Sequence, residues 1–176
     1  MNTFEAIAAR HSYRGTYEST PIPREHLVAI LEAGCAAPSG CNKQTTSLIA
    51  VDDPKKMEEL FSVIRRGLGK TAPAMICVLA QKIIAYSDRT FYIQDYSAAI
   101  QNMLLAIADL GYASCWVEGH VTGSDKVGEK MARILGVPES YELVAYLPVG
   151  IPAEGIPCIE KKPLEERVWF NHFGNA

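Results

Sequence analysis

The segment from Gln94 to Leu110 most constrains how this chain folds. Tyr96, Ala99, Ile100, Met103, Leu104, Ile107 and Leu110 recur at helical spacing and spread over more than one face. A helix apolar over so much of its girth needs partners on several sides, in a large core or at a subunit interface. Ala98, Ala99, Ala106 and Ala108 let another helix approach closely, and Gly111 stops the helix. A chain of 176 residues, 48% of them apolar, can supply such a core as one domain, residues 1–176, or as one protomer of an oligomer.

The remaining pattern supplies the helix with partners. Ala74–Ala80 is a continuous apolar run, as expected of a central strand. Thr46–Val51, Tyr112–Gly119 and Tyr141–Val149 read as further strands, the last broken by Pro148. A first helix capped by Asn2 or Thr3 should bury Phe4, Ile7 and Ala8 and end near Arg10. Others are expected from Arg24 to about Cys35, from Pro54 to about Arg66, and from Ser124 or Asp125 to Leu135. The stretch from Gln81 to Ile93 carries Tyr86, Arg89, Phe91 and Tyr92. It reads either as a pocket edge or as a crossover with its aromatics in the core. A Pro/Gly-rich exit, Gly150–Pro157, leads to a charged stretch and then to Val168, Trp169, Phe170 and Phe173. That arm, residues 160–176, has to bury its aromatics somewhere, and a partner subunit is one place.

Charge narrows the function. A net charge of −3 argues against a nucleic-acid-binding face, which needs a basic surface. No apolar run approaches the roughly 20 residues of a membrane span, and the acidic start, with Glu5, is unlike a signal peptide. Five cysteines, an odd number without CxxC spacing, fit reduced thiols in a cytoplasm. The four histidines are scattered and no Cys/His cluster has metal-ligand spacing.

Two stretches carry candidate chemistry. Arg10-His11-Ser12-Tyr13-Arg14 packs two guanidinium groups, an imidazole and a hydroxyl into five residues. In extended backbone Arg10, Ser12 and Arg14 project together, with His11 and Tyr13 opposite. Three donors on one edge suit an anion with several oxygens, phosphate above all. Taken alone, the same residues also fit a solvated basic turn. Ala36–Gln44 holds Pro38, Ser39, Gly40 and Asn42, a composition that lets backbone N–H groups approach a ligand. Gly69-Lys70-Thr71 is not a phosphate-binding P-loop, because that pattern needs a glycine where Ile64 stands.

Five marks then coincide: Arg10-His11-Ser12-x-Arg14, Ala37-Pro38-Ser39-Gly40-x-Asn42-x-Gln44, the long apolar helix, Cys115-Trp116-Val117-Glu118-Gly119, and Lys161-Lys162-Pro163-Leu164-Glu165-Glu166. In this order, over nearly the whole chain, they resemble the flavin-dependent nitroreductase family. The resemblance implies an α+β, three-layer fold, with a central, mainly antiparallel sheet flanked by helices. It implies a homodimer with flavin mononucleotide (FMN) at the interface. Arg10, His11 and Ser12 would hold the phosphate and ribityl chain, and Arg14 the pyrimidine edge. Pro38, Ser39 and Asn42 would come from the other subunit. Trp116 and Val117 would lead to Glu118 and Gly119, whose backbone would sit near flavin N5 and O4. Lys161 or Lys162 would stand where the family often has an arginine, without its bidentate grip. Thr45-Thr46 replaces a Pro-aromatic pair common in the family, and the 81–93 stretch is short where larger members cover the substrate.

The chemistry implied is hydride transfer from NADH or NADPH to flavin N5, then from flavin to a nitroaromatic, quinone or similar acceptor in a ping-pong cycle. No side-chain nucleophile is required. The same fold also carries reductive dehalogenation and flavin cleavage, and a flavin-binding module without turnover would share these residues.

Overall fold

The computed structural model describes residues 1–64 and 67–174. Its centre is β2 (Ala74–Ala80), buried at every position, between β1 (Thr46–Val51) and β5 (Glu142–Val149). Both pairings are antiparallel, with Cys77 opposite Ile49 on one side and Tyr146 on the other. Period-two alternation sends successive β2 side chains to opposite faces. Ala74, Ile76 and Val78 meet Leu27 and Ile30 of α2 (Arg24–Cys35) and Ile100, Met103 and Ile107 of α4 (Tyr92–Asp109). Met75, Cys77 and Leu79 meet Met57 and Leu60 of α3 (Pro54–Val63) and Met131 of α5 (Val127–Leu135). The result is the expected three-layer α+β arrangement. Burial pushes the Cys77 thiol up to about 12, as befits a small core residue.

The helix that most constrained the sequence is α4, and Tyr96, Ala99, Ile100, Met103, Leu104 and Ile107 are all buried. It lies against α2, where a Cβ on Gly34 would come within 2.8 Å of Met103 Cγ. The glycine is therefore required for close helix approach. The β3–β4 hairpin (Ile84–Tyr86 and Arg89–Thr90) precedes α4. Tyr86 is 66% exposed there, so it is not part of a core.

Three expectations change. The first concerns Tyr112–Gly119, which is not a regular strand. It makes two isolated antiparallel bridges to β5, Ala113 with Gly150 and Val117 with Tyr146. Both bridges share one register, so the pair midway is Cys115 with Pro148. That pair would need a Pro148 N–H, which proline lacks, and the ladder breaks there. β5 itself runs through Pro148 to Val149. The proline breaks its neighbour, not its own strand.

The second is α1 (Thr3–Ala9), which buries Ala6 and leaves Phe4 84% and Ile7 50% exposed, with Ala8 also exposed. The helix forms locally because Asn2 accepts from the N–H groups of Phe4 and Glu5 while Glu5 caps back onto the Asn2 N–H. Among the described residues nothing buries Phe4 or Ile7. Third, α5 begins at Val127 without a Ser124 or Asp125 cap, entered through Lys126 in a left-handed conformation (φ 53°). Gly128 sits so close to β5 that a Cβ would lie 2.4 Å from the Leu143 carbonyl oxygen. Contact with the sheet sets that start, not capping. α3 is helical to Val63, and its expected end at Arg66 lies outside the described residues.

Candidate functional site

The end of α1 places the basic stretch. Arg10 is the C-cap residue of α1, already in extended backbone (φ −69°, ψ 110°). The chain then runs beside the 112–118 segment, where Ser12 bridges Ser114 in parallel and the Tyr13 N–H donates to the Ser114 carbonyl (2.9 Å). Tyr13 turns inward, 2% exposed, and packs edge-on against Tyr17. Arg10 and His11 line one narrow crevice with Leu104, Ala108, Ser114 and Ile156. His11 thus shares the crevice with Arg10, while Tyr13 is buried. Arg14 is exposed. Burial pushes the Cys115 thiol up, and the nearby Arg14 guanidinium pulls it the other way.

Ser114 was not among the expected site residues. It is 3% exposed, and among the described residues its hydroxyl oxygen has no hydrogen-bond partner. A buried hydroxyl without a partner is costly unless something else satisfies it. The lone hydroxyl between Ala113 and Cys115, in an otherwise apolar stretch, was the available signal.

Further along, Trp116 is half-buried and Val117 is buried against Tyr146. The Glu118 side chain turns inward and accepts from the Tyr96 hydroxyl (2.8 Å) and from the Trp116 indole N–H (2.9 Å). Its carbonyl accepts from the Val121 N–H at 2.7 Å. Gly119 needs no positive φ, and a Cβ there would meet nothing within 4 Å. The fold leaves open space in front of it, as close approach of a ligand requires.

Pro38, Ser39 and Asn42 form a separate group. Pro38 and Asn42 are exposed and Ser39 is half-buried. Cys41, Asn42 and Gln44 all adopt positive φ (49°, 54° and 49°). Asp95, 4% exposed in the first turn of α4, stabilises this strained loop. Its carboxylate accepts from the Gly40 N–H (2.7 Å) and from the Thr45 hydroxyl (2.6 Å). The Ser39 hydroxyl in turn accepts from the Gln44 N–H (2.9 Å). Asp95 was missed because an acid in the first turn of a helix ordinarily faces water and complements the dipole. Thr45, one of the two threonines standing where the family has a Pro-aromatic pair, is part of this clamp.

The C-terminal lysines are exposed and outside regular structure. Ile156 brings the chain past the Arg10 crevice, and Lys161 and Lys162 follow five and six residues later. The expected residues and Ser114 thus fall into two groups. Arg10, His11, Ser12 and Ser114 gather beside the C-terminal half of α4, and the 112–119 segment runs back along α4 to Tyr96. Pro38, Ser39 and Asn42 lie at the N-terminus of α4. Asp95 and Ala108 are about 20 Å apart along the axis at ~1.5 Å per residue. The loop is therefore far from the crevice, while the Glu118 end of the 112–119 segment bonds to Tyr96, the residue after Asp95.

The fold is thus an antiparallel sheet between two helix pairs, with basic and hydroxyl side chains at the end of a short first helix. The nitroreductase family model matches residues 7–69 and 62–151. The chain belongs to the nitroreductase family. A Methanothermobacter thermautotrophicus protein, provisionally named NADH dehydrogenase/NAD(P)H nitroreductase, is 32% identical over 155 residues, covering 88% of this chain and 79% of its own. A rat (Rattus norvegicus) iodotyrosine deiodinase is 23% identical over 197 residues, covering 93% of this chain and 67% of its own. A solved Bacteroides fragilis nitroreductase with bound FMN superposes with a TM-score of 0.77 at 29% identity, covering 98% of this chain and all of its own (100%). Among the described residues no helix is long and apolar enough to cross a membrane.

Proposed function

We propose that this chain is a cytoplasmic, FMN-dependent oxidoreductase. It takes hydride from NADH or NADPH and passes it to nitroaromatic, quinone or similar acceptors in a ping-pong cycle. The observation that carries this reading is the crevice of Arg10, His11 and Ser114, with a buried hydroxyl that lacks a partner. A phosphate or a ribityl hydroxyl satisfies that oxygen, and the open face of Gly119 gives a flat ring room at the other end of the same segment. The residues present therefore fit FMN.

Bound FMN supplies hydride acceptance and donation at its N5. The chain supplies the rest. Arg10, His11, Ser12 and Ser114 hold the anionic end, joined by Lys161 or Lys162 from the arm. Trp116 and Val117 carry the segment to Glu118 and Gly119, whose backbone orients the ring edge. Arg14 meets the negative charge that develops on the ring's pyrimidine side. Arg14→Met should therefore move the flavin midpoint potential to a more negative value; an unchanged midpoint in a redox titration would count against that role.

The working unit in this reading is a homodimer. Pro38, Ser39 and Asn42 lie too far along α4 to reach the crevice of their own chain, and a second copy can bring them there. Phe4 and Ile7 of α1 and Val28 of α2 are exposed large apolar side chains. The 160–176 arm is drawn across the partner, which would cover Leu164 (68% exposed), Phe170 (73%) and Phe173 (82%). The test is the absorbance spectrum of the purified protein, followed by anaerobic addition of NADH and NADPH. The expected result is a yellow dimer bleached by at least one nicotinamide. A protein that stays colourless with added FMN overturns the reading, and one that holds flavin yet resists reduction is a binding module.

Reductive dehalogenation is the second reading, favoured by the iodotyrosine deiodinase relative. Halide release from an iodinated phenol under reducing conditions separates it from nitro reduction.

A further inference from the structure

Glu118 was expected to contribute only its backbone, yet its side chain is held by two hydrogen bonds. Each carboxylate oxygen has its own donor: Tyr96 on one, Trp116 on the other. The donors also brace each other, with their rings edge to face at a centroid distance of 6.4 Å. Tyr96 is 4% exposed and anchored in the core face of α4, so its hydroxyl cannot follow a moving partner. Burial, reinforced by the Glu118 hydrogen bond, pushes the Tyr96 phenol up, so it stays a neutral donor. The backbone is held too, through the Val117–Tyr146 bridge before Glu118 and the Val121 N–H on its carbonyl. An ordinary half-buried glutamate would turn its carboxylate to water. This one is locked beside the residue that faces open space.

We infer that the Glu118 carboxylate is a fixed negative charge that sets the reduction potential of the flavin, and that Tyr96 and Trp116 are positioning residues that aim and moderate it. The inference rests on the proposed FMN site. A reduced flavin carries extra negative charge, and a carboxylate held near its N5 edge in a partly desolvated site opposes that charge. The two hydrogen bonds draw part of the charge back toward their donors. Arg14 and Glu118 then act on the ring with opposite signs from different edges. Their balance, not either alone, places the potential between nicotinamide and acceptor.

The signs make the idea testable apart from any structural role. Glu118→Gln removes the charge and keeps the shape, so the flavin midpoint should move positive. Tyr96→Phe keeps the charge and removes one donor, so the midpoint should move negative. Trp116→Phe should move it negative as well, which guards against one variant failing to fold. The measurement is an anaerobic spectroelectrochemical titration of each FMN-loaded dimer, with flavin stoichiometry read from the same spectra. Loss of mere packing would move all three variants the same way. Midpoints that are unchanged, or shifted in one common direction, overturn the inference while leaving the FMN reading intact. A wild-type protein that takes up no FMN overturns the FMN reading, and this inference with it.

Discussion

Asp95→Ala is expected to lower the unfolding free energy by roughly 2–5 kcal/mol, with the urea midpoint falling and the m-value little changed. The carboxylate is buried and satisfies two donors at once, the Gly40 N–H and the Thr45 hydroxyl. Removing it strands both, at about 1–3 kcal/mol each, more because the lost bonds are to a charged group. Asp95→Asn keeps one acceptor oxygen and should lose distinctly less. The loop it ties down holds three non-glycine residues at positive φ, which has to be over-determined by its surroundings. Flavin retention should fall in Asp95→Ala too, if that loop shelters the partner's flavin. Equal urea midpoints for wild type and Asp95→Ala would show that the clamp carries no stability.

Arg10→Ala should weaken FMN retention by about tenfold to a hundredfold. Charge-assisted bonds of this kind contribute roughly 1.5–3 kcal/mol each, and every 1.4 kcal/mol is about a factor of ten in affinity. Stability should change little, because Arg10 lies at the end of a seven-residue helix and its side chain is not in the core. Equilibrium dialysis, or the flavin content after gel filtration, reads the effect. An Arg10→Ala protein as yellow as wild type would remove Arg10 from the phosphate site. Ser114→Ala offers the matching control: it relieves a buried unpaired hydroxyl, so the protein without flavin should be as stable or more so while its flavin affinity falls.

The two variants separate what holds the fold from what holds the ligand, and that division follows how much could be read from the residues alone. The β2 run and the α4 stripe were legible because burial on both faces of a strand, or around most of a helix, leaves a periodic apolar record. The Pro38–Asn42 loop was legible as a turn of unusual backbone, from its residue types. The residues that join these parts were not legible. Asp95, Ser114 and Tyr96 look locally like a first-turn acid, a small strand residue and a core aromatic. Only their partners, Gly40 and Thr45, Ser12, and Glu118, give them a role.

Local sequence therefore determined most of the elements: the main helices, the three strands of the sheet, and that the sheet is covered on both faces. Tertiary structure decided the rest, because it depends on what each element meets. The missing Pro148 N–H splits the neighbouring segment into two bridges, and among the described residues the side of α1 carrying Phe4 and Ile7 finds no cover. Spacing along a chain fixes which side chains share a face. It does not fix what lies opposite that face, and pairing, burial and the placing of charge are all properties of the opposite side.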